Sequence, residues 1–104
     1  MIHAVFERKN GRLCGVQVNG HAGYAEEGQD IVCAAVSSAV QLTANLITDT
    51  FREKAKVRAA ENVITVQLRQ NTGNGAALLN GLYVHLQYLS EDYPRTIETE
   101  ITEV

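Results

Sequence analysis

The sequence predicts a two-layer α+β domain, a mainly antiparallel sheet with two helices on one face, in the order β-β-α-β-β-α-β. Three observations carry the prediction. Five short segments alternate apolar with polar residues, two longer ones repeat apolar residues at helical spacing, and the strand-like segments pair off around tight turn signals.

Ile2 to Lys9 and Leu13 to Gly20 flank Asn10-Gly11, two residues that tolerate positive φ and so close a hairpin. Ile2, Ala4 and Phe6 share one face, as do Cys14, Val16 and Val18. Alternation thus places Cys14 with the core, where a free cysteine packs as a small hydrophobe. From Gly20 to Gln29 three glycines and no apolar periodicity predict a mobile surface loop, long enough to close over a substrate. Asp30 reads as an N-cap accepting from the backbone of Val32 or Cys33, and it opens a helix that runs to about Phe51.

On that helix Ser37, Gln41, Asn45, Thr48 and Arg52 form a polar stripe. Ala35, Val36, Ala39, Val40, Leu42, Leu46 and Ile47 spread over an arc wide enough for two neighbours, a sheet on one side and another helix or a second subunit on the other. Ala55 to Glu61 and Val63 to Arg69 make a second hairpin turning near Glu61-Asn62, and residues 70–75 form a polar connection. The second helix spans about Gly75 to Asp92, with Leu79, Leu82, Leu86 and Leu89 as its core stripe and Pro94 as its stop. Arg95 to Val104 alternates again, with Ile97, Thr99 and Ile101 on one face.

At 104 residues the chain reads as a single domain, 1–104, large enough for a core without metal or disulfide staples. Twelve acidic against nine basic residues and no Lys/Arg cluster argue against direct nucleic-acid binding. No apolar run approaches the roughly 18 residues of a membrane span, and the amino terminus has no signal-peptide pattern. The expected location is cytoplasmic, with no membrane partner. Cys14 and Cys33 are then free thiols by default.

The chemistry concentrates at Gly20-His21-Ala22 and Gly28-Gln29-Asp30-Ile31-Val32-Cys33. A cysteine in the first turn of a helix faces unpaired N–H groups and the positive end of the helix dipole, which favours its thiolate as nucleophile. A nearby imidazole, His21, supplies the base and acid such a thiol needs. Ala34, Ala35, Ser37 and Ser38 keep space open around Cys33, and they equally suit close helix packing. Asp30 has two readings, the cap or a third group orienting His21. Ser37, one turn after Cys33, either lines the pocket or bonds a carbonyl four residues back. His3 and His85 have no comparable context.

Three rivals stand beside catalysis. A metal site from Cys33, His21 and Cys14 or His85 would lack any close-spaced ligand pair, so neither metal nor other cofactor is expected. A redox thiol would need a resolving partner, and Cys14 is distant in sequence although the fold could bring it close in space, so this ranks below proteolysis. A non-catalytic protein that binds a basic partner chain through its acidic surface is the remaining alternative.

The motif Gly20-His21-Ala22 followed by Gly28-Gln29-Asp30-Ile31-Val32-Cys33-Ala34-Ala35-Val36-Ser37, with Leu78-Leu79-Asn80-Gly81-Leu82 through Tyr93-Pro94, resembles the ribosomal-processing cysteine proteases, the Prp family. The resemblance spans nearly the whole chain. It implies a cytoplasmic thiol protease, a homodimer, acting in ribosome biogenesis. Such an enzyme removes the amino-terminal extension of the large-subunit ribosomal protein numbered twenty-seven, cutting after aromatic residues. It implies Cys33 as nucleophile and His21 as general base and acid, with Asp30, Ser37, Gly20 and Gly28 as motif positions of support or substrate binding.

Overall fold

The computed structural model describes residues 1–26, 29–70 and 72–104. Strands β1 (Ile2–Lys9) and β2 (Arg12–Gly20) are followed by helix α1 (Ile31–Asn45), then by β3 (Ala55–Ala60), β4 (Val63–Leu68), α2 (Gly73–Asp92) and β5 (Ile97–Glu103). The order matches the predicted one. The sheet runs β3-β4-β2-β1-β5; its pairs are antiparallel except β1 with β5, which is parallel, so the sheet is mixed and mostly antiparallel.

Asn10 and Gly11 both take positive φ, 54° and 78°, and close the first hairpin with Lys9 opposite Arg12. One face of the sheet carries Ile2, Ala4, Phe6, Val16, Val18 and Val66, which pack with Val32, Val36 and Val40 of α1 and Leu79, Leu82 and Leu86 of α2 in one buried cluster. The helices therefore share one face. Phe6 meets Tyr83 edge to face, with ring centroids 5.2 Å apart.

Two local features depart from the simple alternation and periodicity. Glu7 pairs with Gly15 but Arg8 pairs with Leu13, leaving Cys14 as the extra residue of a β-bulge. Leu13 takes the buried position instead, and Cys14 is half-buried with its thiol donating to the Glu7 carbonyl at 3.5 Å. Cys14 is thus displaced from the core that alternation assigned to it. The second departure is at the end of α1, where Leu46–Thr50 forms a π-helical turn. Phe51 N–H reaches back five residues to Leu46 at 2.9 Å, and the Thr48 hydroxyl donates to the Ala44 carbonyl at 3.0 Å.

The helical stretch Ile31–Thr50 is long and apolar enough to cross a membrane by length and composition alone, with mean hydropathy 1.6. This corrects the expectation that no apolar stretch reaches that length: Ser37, Ser38, Gln41, Thr43 and Asn45 interrupt the apolar residues without lowering the mean far. The core helix of a folded domain passes the same test, and Val32, Val36, Val40 and Ile47 are buried in the protein's own core.

Candidate active site

Asp30 accepts hydrogen bonds at Oδ1 from Val32 N–H (2.9 Å) and Cys33 N–H (3.0 Å), which caps α1 and fixes Cys33 as its third residue. Its second oxygen is spent as well: Oδ2 accepts from Tyr24 N–H at 3.0 Å and Ala25 N–H at 3.4 Å. The buried carboxylate is thus a clamp between the helix start and the preceding loop. These bonds, that from Cys33 N–H first, hold its pKa below the ordinary aspartate value against the opposing effect of desolvation. With both oxygens engaged, Asp30 serves as cap and clamp, and no oxygen is left free for the His21 ring.

The same loop touches the thiol directly. Ala22 is buried, and its backbone N–H donates to Cys33 Sγ at 3.2 Å. A donor aimed at sulfur at the positive end of a helix stabilises negative charge there. Cys33 is half-buried, packed against the core on one side and open on the other.

Gly20 makes this close approach possible. It adopts φ +95°, and a Cβ there would sit 2.5 Å from the Met1 carbonyl oxygen, so no other residue fits without moving the first strand. The chain leaves the sheet at Gly20 and presents His21 at the surface, exposed, while Ala22 turns inward. No hydrogen bond joins His21 to Cys33, but both line one cleft. Gly28 lies outside the described residues.

That cleft has a volume of about 640 Å³. One wall is α1, with Cys33, Ala34, Val36, Ser37 and Val40; the other is formed by Val18, Ile64, Val63, Ala59 and Ala60 from the sheet. His21, Asn19, Asn62 and Asp30 also line the cleft. Ser37 lines the cleft one turn beyond Cys33, and its hydroxyl oxygen accepts from Gln41 Nε2 at 3.0 Å. From Cys33 to Val40 the helix rises about 10 Å, the span of roughly three residues of extended peptide. An apolar groove with a thiol and an imidazole at one end suits acyl transfer on a peptide.

The loop ahead of α1 is tied down in its described part. Besides the bonds to Asp30, the Tyr24 ring meets Tyr93 edge to face at 5.3 Å. These two anchors are long-range or side-chain to backbone, and glycine content does not register them. Among the described residues no three His, Cys, Asp or Glu side chains gather as metal ligands. Sequence reasoning also passed over Asn62, which reads as a mere turn residue, and the Ala22 amide, which has no side-chain signature.

Similarity to known proteins follows the same outline. The profile of the family described as Cysteine protease Prp matches residues 1–98. A Staphylococcus aureus protein named Ribosomal processing cysteine protease Prp is 31% identical over 90 residues, covering 84% of this chain and 85% of the relative. The crystal structure of SMU.848 from Streptococcus mutans superposes with a TM-score of 0.85 at 28% identity, covering 100% of this chain and 96% of the other. The ribosomal processing protease Prp from S. aureus, crystallised with a covalently linked product peptide, shares the fold with a TM-score of 0.91 at 24% identity, covering 98% and 100%.

Proposed function

The chain belongs to the cysteine protease Prp family, and on that footing we propose that it is an endopeptidase with Cys33 as nucleophile and His21 as general base and acid. One observation carries the assignment of residues: the Cys33 sulfur, at the start of α1, accepts a hydrogen bond from Ala22 and opens into the cleft that His21 also lines.

In this mechanism the Cys33 thiolate attacks the scissile carbonyl, forming a C–S bond and a tetrahedral oxyanion. His21 gives its proton to the departing amine as the C–N bond breaks, leaving a thioester. Water, losing a proton to His21, then attacks the thioester and releases the acid and the thiol. The Val32, Cys33 and Ala34 N–H groups are taken by Asp30, so the proposed oxyanion donor is the Ala22 N–H, which meets the sulfur and shifts to the new oxygen as the C–S bond forms, an interaction worth about 3 kcal/mol per donor in other proteases. The reaction calls for no cofactor.

The proposed substrate is the precursor of a ribosomal protein, the large-subunit protein numbered twenty-seven, cut to remove its amino-terminal extension in the cytoplasm. The name of the S. aureus relative supports ribosomal processing, and the net charge of -3 suits a basic partner. The apolar walls of the groove support the proposed preference for aromatic side chains beside the scissile bond. A homodimer is proposed as the working form. It is supported by the outer face of α1, where the apolar side chains of Ile31 and Leu42 are 54% and 59% exposed. Sedimentation as a monomer at micromolar concentration would contradict it.

The test is mass spectrometry of a peptide spanning the ribosomal protein's amino-terminal extension, incubated with wild type and Cys33→Ala. The expected result is one cut that Cys33→Ala fails to make. Binding without any cut would instead favour a non-catalytic interaction protein.

A further inference from the structure

A thiol–imidazole pair works best when a third group fixes the ring, and the structure narrows the choice of that group. Four polar residues other than the pair line the cleft: Asp30, Ser37, Asn19 and Asn62. Asp30 is spent on four backbone N–H groups. Ser37 lies a full turn, about 6 Å, further along α1, and its oxygen already accepts from Gln41. Asn19 follows Val18 in the strand; Val18 is buried toward the helices, so alternation aims the Asn19 side chain at the opposite face of the sheet.

Asn62 remains, and its placement is specific. Asn19 pairs with Val63, so Asn62 stands opposite Gly20, the residue immediately before His21. The Gly20 N–H donates to the Asn62 carbonyl at 3.2 Å, which extends the ladder and fixes Asn62 beside the histidine's backbone. At the hairpin tip, with φ +64°, Asn62 is itself among the residues that line the cleft. Its carboxamide is exposed and makes no hydrogen bond among the described residues.

We propose that Asn62, at the tip of the β3–β4 hairpin, is the positioning residue for His21, its side-chain oxygen accepting from the imidazole N–H when a peptide fills the cleft. The proposal rests on the assignment of Cys33 and His21 above. It gives the second hairpin a part in the reaction beyond forming a wall. The left-handed backbone at this position already favours Asn, so the residue serves the turn and the site together.

That double service dictates the variants. Asn62→Gly keeps the left-handed turn and the carbonyl that holds Gly20, and it deletes only the carboxamide. Asn62→Asp keeps an acceptor oxygen in place. Two readouts are needed: steady-state cleavage of the extension peptide, and the pH profile of Cys33 alkylation by iodoacetamide, which requires no substrate. His21, Cys33 and Asp30 are the titratable side chains lining the cleft among the described residues, so that profile reports on the pair.

The expected result for Asn62→Gly is a kcat about 10- to 100-fold lower, a fraction of the roughly 10²–10⁴-fold that general acid–base catalysis contributes. KM should change little, the alkylation profile should be displaced, and Asn62→Asp should recover most of the rate. Unchanged kcat and profile in Asn62→Gly would overturn the proposal. So would a loss confined to KM, which marks a substrate contact, or a loss that Asn62→Asp shares, which marks the turn. If wild type cleaves nothing, the assignment of the protease pair fails instead, and the alkylation profile still tests whether Asn62 governs His21.

Discussion

The two helices occupy equivalent places in the two β-β-α halves of the chain, yet they do opposite work. α2 lies against the sheet with Leu79, Leu82 and Leu86 buried, and its N-cap Thr72 makes a single 3.3 Å bond to Gly75. α1 presents Ala34, Val36, Ser37 and Val40 to the strands, and that small-residue face leaves the cleft unfilled. Its cap holds four N–H groups on one carboxylate. Large side chains on one helix build the scaffold; small ones on the other, with a reinforced start, leave room for a substrate beside a fixed thiol.

The contrast breaks most severely in the scaffold. Leu86→Ala should cost about 2–5 kcal/mol by opening a cavity under α2, seen as a lower urea midpoint, while activity per folded molecule stays near wild type. Loss of activity without loss of stability would mean that α2 is no mere scaffold.

Asp30→Asn tests the start of α1. Because the folded carboxylate titrates below its ordinary value, its contribution is present above the usual aspartate range, near about 4, and is lost as pH falls through that range and below. Wild type should therefore lose thermal stability on acidification more steeply than Asp30→Asn. The variant should also cleave more slowly at neutral pH, since an amide NH₂ cannot accept from Tyr24 or Ala25. Parallel stability curves would remove the clamp from the account.

The smallest effect is at the groove itself. Ser37→Leu gives α1 the kind of residue α2 uses, so it should raise KM for the peptide several-fold while leaving the melting temperature unchanged or slightly higher. An unaltered KM would show that substrate does not lie along α1.

Much of this was legible in the chain because it is local. Asn10-Gly11 dictates its hairpin by backbone conformation, and Asp30 three residues before Cys33 dictates both cap and thiol placement. The leucine stripe of α2 likewise buries at Leu79, Leu82 and Leu86. What was not legible depends on partners far along the sequence. The parallel pairing of β5 with β1, the bulge that expels Cys14 in favour of Leu13, and the hairpin tip opposite Gly20 leave no mark on alternation. The π-helical turn at Leu46–Thr50 looks, by composition, like one more turn of α-helix.

The two cysteines allow the most direct test. Cys14 sits half-buried at the bulge, with burial first and the Glu7 carboxylate second pushing its thiol pKa up. Cys33 sits at a helix start under the Ala22 amide. Limiting iodoacetamide at neutral pH, followed by peptide mapping, should label Cys33 well before Cys14, and an excess of the extension peptide should protect Cys33 alone. Equal labelling of the two, or protection of neither, would contradict the claim that the start of α1 is the reactive centre.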